Sequence, residues 1–555
     1  MVSSPKRRFY RFFLLLILIA QILLLARIAY IIVDGKEHDV AYINPEIASQ
    51  VVRGTIFDRN GRILAMETPY WSCAFLLKNI PNLRLAAEVV SPYVGLAPEQ
   101  ILSTCERYTT YALIQRKIGD AMVDPLREAI RKAKLENGIL LEKHYGRSYP
   151  ASFHGVQMVG FTNTDNRGIE GIELAYDQEL SPYPNLGETV TYGNDIYLTL
   201  DLDIQYLLDL QVQNIADQHD PDYIMAVVMD ATSGDILASS SYPWYDPNRY
   251  NLSDAQQRQN RLLSYMYEPG SVFKIFSLAA CKEIGQADFD EPFFCDGSYT
   301  FSMPGGQNVT INCVSPHGEI DSAGMIKYSC NGAIVHWALQ TDDQRFYEML
   351  RKFHFGQRWD IGLQGSIAGA LPAVSDWSGR TKATLSFGQE LGVNALQMVT
   401  AATVFTNEGT LLKPNIIRRI VTHDGTVVAT SERTEAERVL APEVATEVLD
   451  AMVTATEPGG TAIHASVEGF TIAAKTGTAQ ILNPETNSYS DGSVLASTLA
   501  IVPAQQPRYI IYVAAAHPKG DTIWGSNIAA PAIANVIKGL ASQGKLTSVK
   551  ATVIQ

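Results

Sequence analysis

A serine and a lysine three residues apart could form a nucleophile and its base. Ser271 and Lys274 would lie one turn apart on one face of a helix, because residues i and i+3 are neighbours there. A serine hydroxyl is a poor nucleophile until a neighbouring group takes its proton. A lysine in a dry environment has a lowered pKa and can be that group. The apolar run 275–280 that follows Lys274 would bury the helix and desolvate this lysine. Pro269-Gly270 predicts a turn into the helix. The pair alone is a weak signal, because S-x-x-K often arises by chance on a solvated helix face.

Two later motifs make this prediction much more specific. Ser329-Cys330-Asn331 precedes an apolar helical run, and Lys475-Thr476-Gly477-Thr478 follows a strand-like run. Each motif alone has an ordinary structural interpretation, such as a surface lysine, a helix cap or strand threonines. The ordered trio of S-x-x-K, S-x-N and K-T-G is the signature of penicillin-binding proteins and class A β-lactamases.

Segments outside the trio extend the resemblance to nearly the whole chain after residue 50. The chain resembles a class B penicillin-binding protein, and it is most similar to the division-specific FtsI type. The segments that carry this resemblance are 53–61 (RGTIFDRNG), 147–150, 160–163 (GFTN), 168–173 (GIEGIE), 198–205, 386–389 (SFGQ), Gln397 and 524–531.

The resemblance assigns a role to each residue of the trio. It implies a D,D-transpeptidase that attacks the bond between two D-alanines of a peptidoglycan stem peptide, with β-lactams as covalent inhibitors and no cofactor. The implied catalytic residues are the nucleophile Ser271, the base Lys274, the proton relay Ser329 and the positive Lys475. The implied substrate-binding residues are Asn331, Thr476, Gly477 and Thr478. The backbone N–H groups of Ser271 and Thr478 would form the oxyanion hole.

The positioning elements predict an α+β chain with more than one domain. Residues 223–230 and 232–237 predict a hairpin with a glycine turn, and the strand 509–514 precedes a helix over 529–540. Strands at both ends of a domain with helices between them favour an antiparallel sheet covered by helices. This agrees with the penicilloyl-serine transferase (β-lactamase-like) fold that the resemblance implies. The charge-rich stretch 98–143 is predicted to be helical.

The N-terminal segment predicts a membrane anchor. An apolar run, Phe12–Val33, follows several basic residues and exceeds the roughly 20 residues that span a bilayer. The basic residues predict a cytoplasmic N-terminus, and no small-x-small cleavage site follows. The expected divisions are a cytoplasmic 1–11, a transmembrane signal anchor 12–33, an elongated α+β pedestal of the dimerisation type 34–195, a transpeptidase domain 196–545 and a tail 546–555. The catalytic part would lie outside the inner membrane as a single-pass protein.

Charge and cysteines limit other functions. The net charge of −14 argues against nucleic-acid binding. Six cysteines at irregular spacing are too few for a disulfide scaffold, and their spacing is not that of zinc ligands, so we predict no metal. Cys295 and Cys313 flank a glycine-bearing hairpin and could form a disulfide.

Three alternatives stay open at this stage. A β-lactamase or β-lactam sensor would need a group that activates water, and the 365–370 region offers no glutamate. An elongation-specific transpeptidase or an inactive scaffold would share the anchor. The charged residues Arg53, Asp58, Arg147, Glu170 and Glu173 are predicted mainly to stabilise the pedestal. Their second interpretation is a docking surface, which the resemblance implies for a SEDS-type glycosyltransferase beside other division proteins.

Overall fold

The computed structural model describes residues 18–26, 50–184, 189–303, 305–481 and 493–548. The chain divides into two compact units, Met1–Val52 with Pro182–Thr191 and Arg53–Ser181 with Tyr192–Gln555. In the first unit, residues 18–26 are helical with exposed side chains, and the Gln50 N–H donates to the Thr189 carbonyl at 2.9 Å.

Strands and helices alternate along the chain from Gln50 onward. The strands are β1 Gln50–Val52, β2 Ile56–Phe57, β3 Ile63–Leu76, β4 Tyr111–Ile118, β5 Ile139–Ser148, β6 Val190–Tyr192, β7 Asp195–Leu198, β8 Tyr223–Asp230, β9 Ile236–Tyr242, β10 Phe293–Cys295, β11 Ser298–Ser302, β12 Asn308–Asn312, β13 Gly318–Ile320, β14 Thr410–Leu412, β15 Ile417–Val421, β16 Val427–Thr430, β17 Glu435–Arg438, β18 Ala473–Gln480, β19 Val494–Val502 and β20 Tyr509–Ala516. The helices are α1 Leu83–Val94, α2 Pro98–Cys105, α3 Asp120–Lys132, α4 Val156–Val159, α5 Gly171–Ala175, α6 Asp177–Leu180, α7 Leu202–His219, α8 Ala255–Arg258, α9 Arg261–Ser264, α10 Lys274–Ile284, α11 Ser322–Tyr328, α12 Asn331–Leu339, α13 Asp343–Lys352, α14 Thr381–Ser386, α15 Ala395–Ala401, α16 Thr403–Thr406, α17 Pro442–Val453 and α18 Gly525–Ser542.

The predicted membrane segment falls largely outside the described residues. Within the part of the chain that the structure describes, no helix combines the length and apolarity that a membrane crossing needs. The anchor at Phe12–Val33 therefore stays a prediction, as do the boundaries of the other four predicted segments.

A five-stranded antiparallel sheet forms the centre of the C-terminal part. Its strands lie in the order β18-β19-β20-β8-β9, so that β18 is an edge strand. All residues of β19 and β20 are buried, which means that both faces of the sheet are covered. Helices α7 and α18 contact the sheet and each other, and α15 contacts β8 and β20. This confirms the predicted antiparallel sheet covered by helices, including the hairpin of β8 and β9 with Gly234 at φ 80°.

A second sheet joins residues from distant parts of the chain. Its path is β16-β15-β7-β2-β3-β4, and β5 also pairs with the long strand β3. The pairing of β2 with β7 is parallel, whereas the other pairings are antiparallel. Helices α1 and α3 pack on this sheet through a small core of their own, which contains Phe75, Val90 and Leu126.

The predicted helical stretch 98–143 is wrong in part. Helices α2 and α3 occupy much of it, but the strand β4 (Tyr111–Ile118) separates them and β5 begins at Ile139. The sequence of β4 is mostly polar on one face, and its pairing with β3 decides its conformation. Pairing with a neighbouring strand commonly overrides the weak local preference of such a segment.

Buried ion pairs connect distant segments of the region before β7. The Arg53 Nε lies 2.8 Å from one Glu173 carboxylate oxygen, and the Arg147 Nε lies 2.6 Å from the other. All three side chains are almost fully buried. The buried Asp58 binds Arg62 at 2.8 Å and accepts a hydrogen bond from the Leu202 N–H at 3.2 Å. These contacts support the structural interpretation of the charged segments.

Candidate active site

The turn that carries Ser271 packs closely against β18. Gly270–Phe273 forms a 3-10 turn that continues directly into α10. Gly270 has φ 55°, and a Cβ added there would lie 2.7 Å from the Cβ of Ala479 on β18. Its N–H donates to the Gly388 carbonyl at 2.9 Å. The nucleophile turn therefore lies close against the edge strand, and this approach requires glycine.

Lys274 is fully buried one turn after Ser271. Its neighbours Ile275 to Ala280 are all buried, as the apolar run predicts. The Lys274 Nζ donates to the Ser329 carbonyl at 2.5 Å and to the Ser329 Oγ at 3.1 Å. Burial lowers the pKa of Lys274 to about 8, because desolvation penalises the ammonium form and outweighs the nearby thiols of Cys330 and Cys313.

A second buried lysine reaches the same hydroxyl. The Lys475 Nζ, from β18, lies 2.8 Å from the Ser329 Oγ and 2.9 Å from the Thr476 carbonyl. Desolvation, and then repulsion by Lys274, hold the pKa of Lys475 well below its usual value. Ser329 lies directly after α11 with φ 59°, a left-handed conformation that ends this helix.

The two lysines share one acceptor, the Ser329 Oγ. Two ammonium groups that share one acceptor repel each other in a water-poor site, so charge on one disfavours charge on the other. When Lys274 is neutral, Lys475 is relieved of that repulsion and holds its proton more strongly. One neutral base and one cation can thus coexist beside Ser329.

The predicted substrate-binding residues line the space in front of these groups. A cavity of about 540 Å³ adjoins one of about 380 Å³, and together they form what we call the cleft. Its lining includes Ser271, Ser329, Asn331, Thr476, Gly477, Thr478, Asn312, Gln389 and Trp524. The structure therefore brings all of the predicted site residues except the two buried lysines to one surface, with those lysines directly behind it.

The Asn331 side chain is positioned by a strand end. Its Nδ2 donates to the Asn312 carbonyl at 2.8 Å, at the end of β12. The Thr478 Oγ1 accepts a hydrogen bond from the Gly525 N–H at 3.2 Å, at the start of α18. The sequence pattern did not identify Asn312, because nothing in its neighbourhood distinguishes it from other hairpin residues.

Gly477 allows the K-T-G strand to pack closely against the turn that carries Ser271. A Cβ added there would lie 2.8 Å from the Val272 Cγ2 and 2.9 Å from the Ser497 Oγ. The resemblance implies a substrate-binding role for Gly477, and the structure shows in addition that the turn carrying Ser271 occupies the space next to it. Gly477 thus allows the turn and the K-T-G strand to touch.

Four possible metal ligands also lie beside the cleft, although their spacing in the sequence led us to predict no metal. Cys295, Cys313, His317 and Cys330 bring their ligand atoms within 4.8 Å of one another. Cys295 and Cys313 do flank the hairpin of β11 and β12, but their sulfurs are 3.7 Å apart and are not bonded to each other.

Comparison with known proteins agrees with this geometry. The family model for the penicillin-binding protein transpeptidase domain matches residues 224–538. The chain is 30% identical over 518 residues to the probable peptidoglycan D,D-transpeptidase PenA of Neisseria gonorrhoeae, covering 89% of this chain and 84% of PenA. It is 26% identical over 594 residues to the peptidoglycan D,D-transpeptidase FtsI of Escherichia coli, covering 97% and 94% of the two chains.

Solved structures extend the likeness to the fold. Penicillin-binding protein 3 from Mycobacterium tuberculosis, complexed with aztreonam, superposes with a TM-score of 0.71 at 26% identity and covers 90% of this chain and 98% of its own. A further relative by sequence, the stage V sporulation protein D of Bacillus subtilis, is 25% identical over 552 residues, which cover 93% of this chain and 84% of that protein. The chain therefore belongs to the class B penicillin-binding proteins, a family of serine acyl-transfer transpeptidases.

Proposed function

We propose that this transpeptidase cross-links peptidoglycan stem peptides during septal wall synthesis and that β-lactams acylate it. The observation that carries the proposal is the convergence of Lys274 and Lys475 on the Ser329 Oγ, at 3.1 and 2.8 Å, behind the surface that Ser271 lines. A nucleophile needs a base of matched pKa, and burial supplies one in Lys274.

The residues suggest an order of proton transfers. Ser271 attacks the carbonyl between two D-alanines while neutral Lys274 takes its proton. Ser329 accepts hydrogen bonds from both lysines through its lone pairs, and its own O–H can be donated to the leaving D-alanine. The Lys274 ammonium then returns a proton to Ser329, 3.1 Å away, which leaves Lys274 neutral again. An amine from a second stem peptide attacks the acyl-serine by the reverse path and completes the cross-link.

The lining of the cleft favours transfer over hydrolysis. A class A β-lactamase uses a glutamate to activate water for deacylation. Among the described residues that line the cleft there is no aspartate or glutamate. Glu390 binds Arg380 at 3.1 Å and the Thr381 Oγ1 at 3.0 Å, and it lines a separate apolar cavity. A β-lactam should therefore acylate the protein once and leave slowly.

A labelled penicillin tests the assignment of the nucleophile. The label should attach to Ser271, survive denaturation and map to its peptide. Ser271→Ala should abolish labelling, whereas the matched control Ser277→Ala, a buried serine on α10, should keep it. A label that maps elsewhere would refute the assignment, and repeated turnover of a chromogenic β-lactam would favour the hydrolase.

The septal role rests on the resemblance to the FtsI type. The proposal includes a single-pass anchor in the inner membrane, with the catalytic part outside the cytoplasm, and a SEDS-type glycosyltransferase among its division partners. A fluorescent fusion of the full chain should gather at mid-cell, and depletion should yield filaments. Labelling along the side wall with rounded cells after depletion would instead indicate the elongation role.

A further inference from the structure

Three cysteines and one histidine meet directly behind the S-x-N motif. Cys295 ends β10, Cys313 follows β12, His317 precedes β13, and Cys330 is the middle residue of S-x-N. Cys295 and Cys330 are fully buried, and the other two side chains are half-buried. Three separate segments, the end of β10, the loop between β12 and β13, and the S-x-N loop, thus bring four good metal ligands to one point.

Three of the six distances between these ligand atoms match those of a tetrahedral site, and all six lie within 4.8 Å. The Cys313 Sγ lies 3.7 Å from the Cys295 Sγ and 3.6 Å from the Cys330 Sγ. The Cys295 Sγ lies 3.4 Å from the His317 Nδ1. Zinc bonds of about 2.3 Å to sulfur and about 2.0 Å to nitrogen, at tetrahedral angles, place two sulfurs about 3.8 Å apart and a sulfur and a nitrogen about 3.5 Å apart. A disulfide would need about 2.05 Å.

The surroundings suit thiolates. The Gly332 N–H donates to the Cys313 Sγ at 3.3 Å, and the Ala333 N–H donates to the Cys330 Sγ at 3.5 Å. Such outer hydrogen bonds orient metal ligands and share their negative charge. Three sulfur ligands and one imidazole select zinc among the common divalent ions, in a closed structural site.

We propose that Cys295, Cys313, His317 and Cys330 bind one zinc ion that fixes the S-x-N loop to the hairpin of β11 and β12. Cys330 lies between Ser329, which both lysines contact, and Asn331, which binds the Asn312 carbonyl at 2.8 Å. The metal would hold this segment from behind and so set the positions of the neighbouring side chains. Zinc binding itself does not depend on the proposed function, whereas its effect on acylation does.

Metal analysis of the purified full chain tests the site directly. We expect about one zinc per chain, and six free thiols after denaturation with a chelator. Cys295→Ser and His317→Ala should each lose most of the zinc, whereas Cys281→Ser, which removes a buried cysteine of α10 outside the cluster, should retain it. Less than a tenth of an equivalent of zinc in reduced protein, with no change of melting temperature on adding ZnCl₂, would overturn the proposal. A mapped bond between Cys295 and Cys313 would also overturn it.

Chelation of zinc from the wild-type chain tests the metal site and its effect on acylation separately. It needs no variant that could fail to fold. Removing zinc should lower the melting temperature and slow penicillin acylation by at least tenfold, and restored zinc should recover both. Zinc loss that leaves acylation unchanged would overturn the positioning role. If the chain binds zinc but no penicillin labels Ser271 in any state, the proposed function fails while the metal site stands.

Discussion

The protonation of Lys274 should control the rate at which β-lactams acylate Ser271. Lys274 is fully buried, and burial lowers its pKa to about 8. Because the neutral amine is the base, acylation should become faster as the pH rises through this value. Lys274→Arg should remove the base while keeping a cation, since arginine does not lose its proton in proteins.

The expected size of the effect follows from the fraction of neutral lysine. With a pKa of about 8, that fraction is about 9% at pH 7 and about 91% at pH 9, so the rate should rise about 10-fold and then level off. An ordinary lysine pKa of about 10.4 would give a rise of about 100-fold over the same range without levelling. Lys274→Arg should lose at least about 100-fold at pH 8, the usual contribution of a general base.

The same shift has a consequence for stability with a defined sign. The unfolded lysine keeps its proton up to the usual value of 10.5, whereas the folded one releases it near 8. The unfolded state therefore binds more protons between these values, so the free energy of unfolding contributed by Lys274 should increase with pH in this window. At pH 7 the buried ammonium costs the fold roughly 3 kcal/mol.

Stopped-flow acylation by a chromogenic cephalosporin between pH 6.5 and 9.5 measures the profile. Lys382→Arg is the matched control, because Lys382 is a buried lysine that binds the Thr341 carbonyl at 2.6 Å away from the cleft. It should keep the wild-type profile. A wild-type rate that still rises tenfold per pH unit above 9, or a Lys274→Arg chain that acylates normally, would refute the role of Lys274.

Three further outcomes are expected. Glu173→Gln leaves the buried Arg147 guanidinium without its carboxylate partner and removes one of the two carboxylates that pair with Arg53, so it should lower the free energy of unfolding by about 3–5 kcal/mol in denaturant titrations; the exposed Glu437→Gln should not, and an unchanged midpoint for Glu173→Gln would favour the docking interpretation. Gly477→Ala forces the edge strand off the nucleophile turn and should slow acylation about 10- to 100-fold, whereas Gly119→Ala, where a Cβ meets nothing, should acylate normally. N-terminal sequencing should show that the mature protein retains Phe12–Val33, and a mature N-terminus beyond this segment would indicate a cleaved signal instead.

The sequence predicted the chemistry of the site better than the packing around it. The S-x-x-K, S-x-N and K-T-G trio names residues that the structure brings together, and the apolar run after Lys274 predicted its burial. The contact of Val272 with Gly477 could not be predicted, because it depends on how the edge strand meets a turn 200 residues away.

The cluster of three cysteines and one histidine could not be predicted from the sequence either, because its members lie on three separate segments of the chain. Zinc motifs are recognised by short, regular intervals between ligands, whereas Cys295, Cys313, His317 and Cys330 are spaced by the lengths of a hairpin and a helix. Similarly, the strand β4 follows from pairing with β3 and not from its own polar sequence. Local propensity fails where a distant partner decides the conformation.

The second sheet, which runs from β16 to β4, has a consequence for how the chain is synthesised and folds. Its first strand in chain order, β2, begins at Ile56, whereas β16 begins at Val427, about 370 residues later. At ribosomal rates of about 5–20 residues per second, the early strands wait roughly 20–75 s for the strands that flank them. During this interval the edge of β7, with Tyr197 stacked on Phe57, lacks its neighbour β15. An open edge invites pairing with other chains, so the nascent protein should depend on holding factors until β15 and β16 have been synthesised.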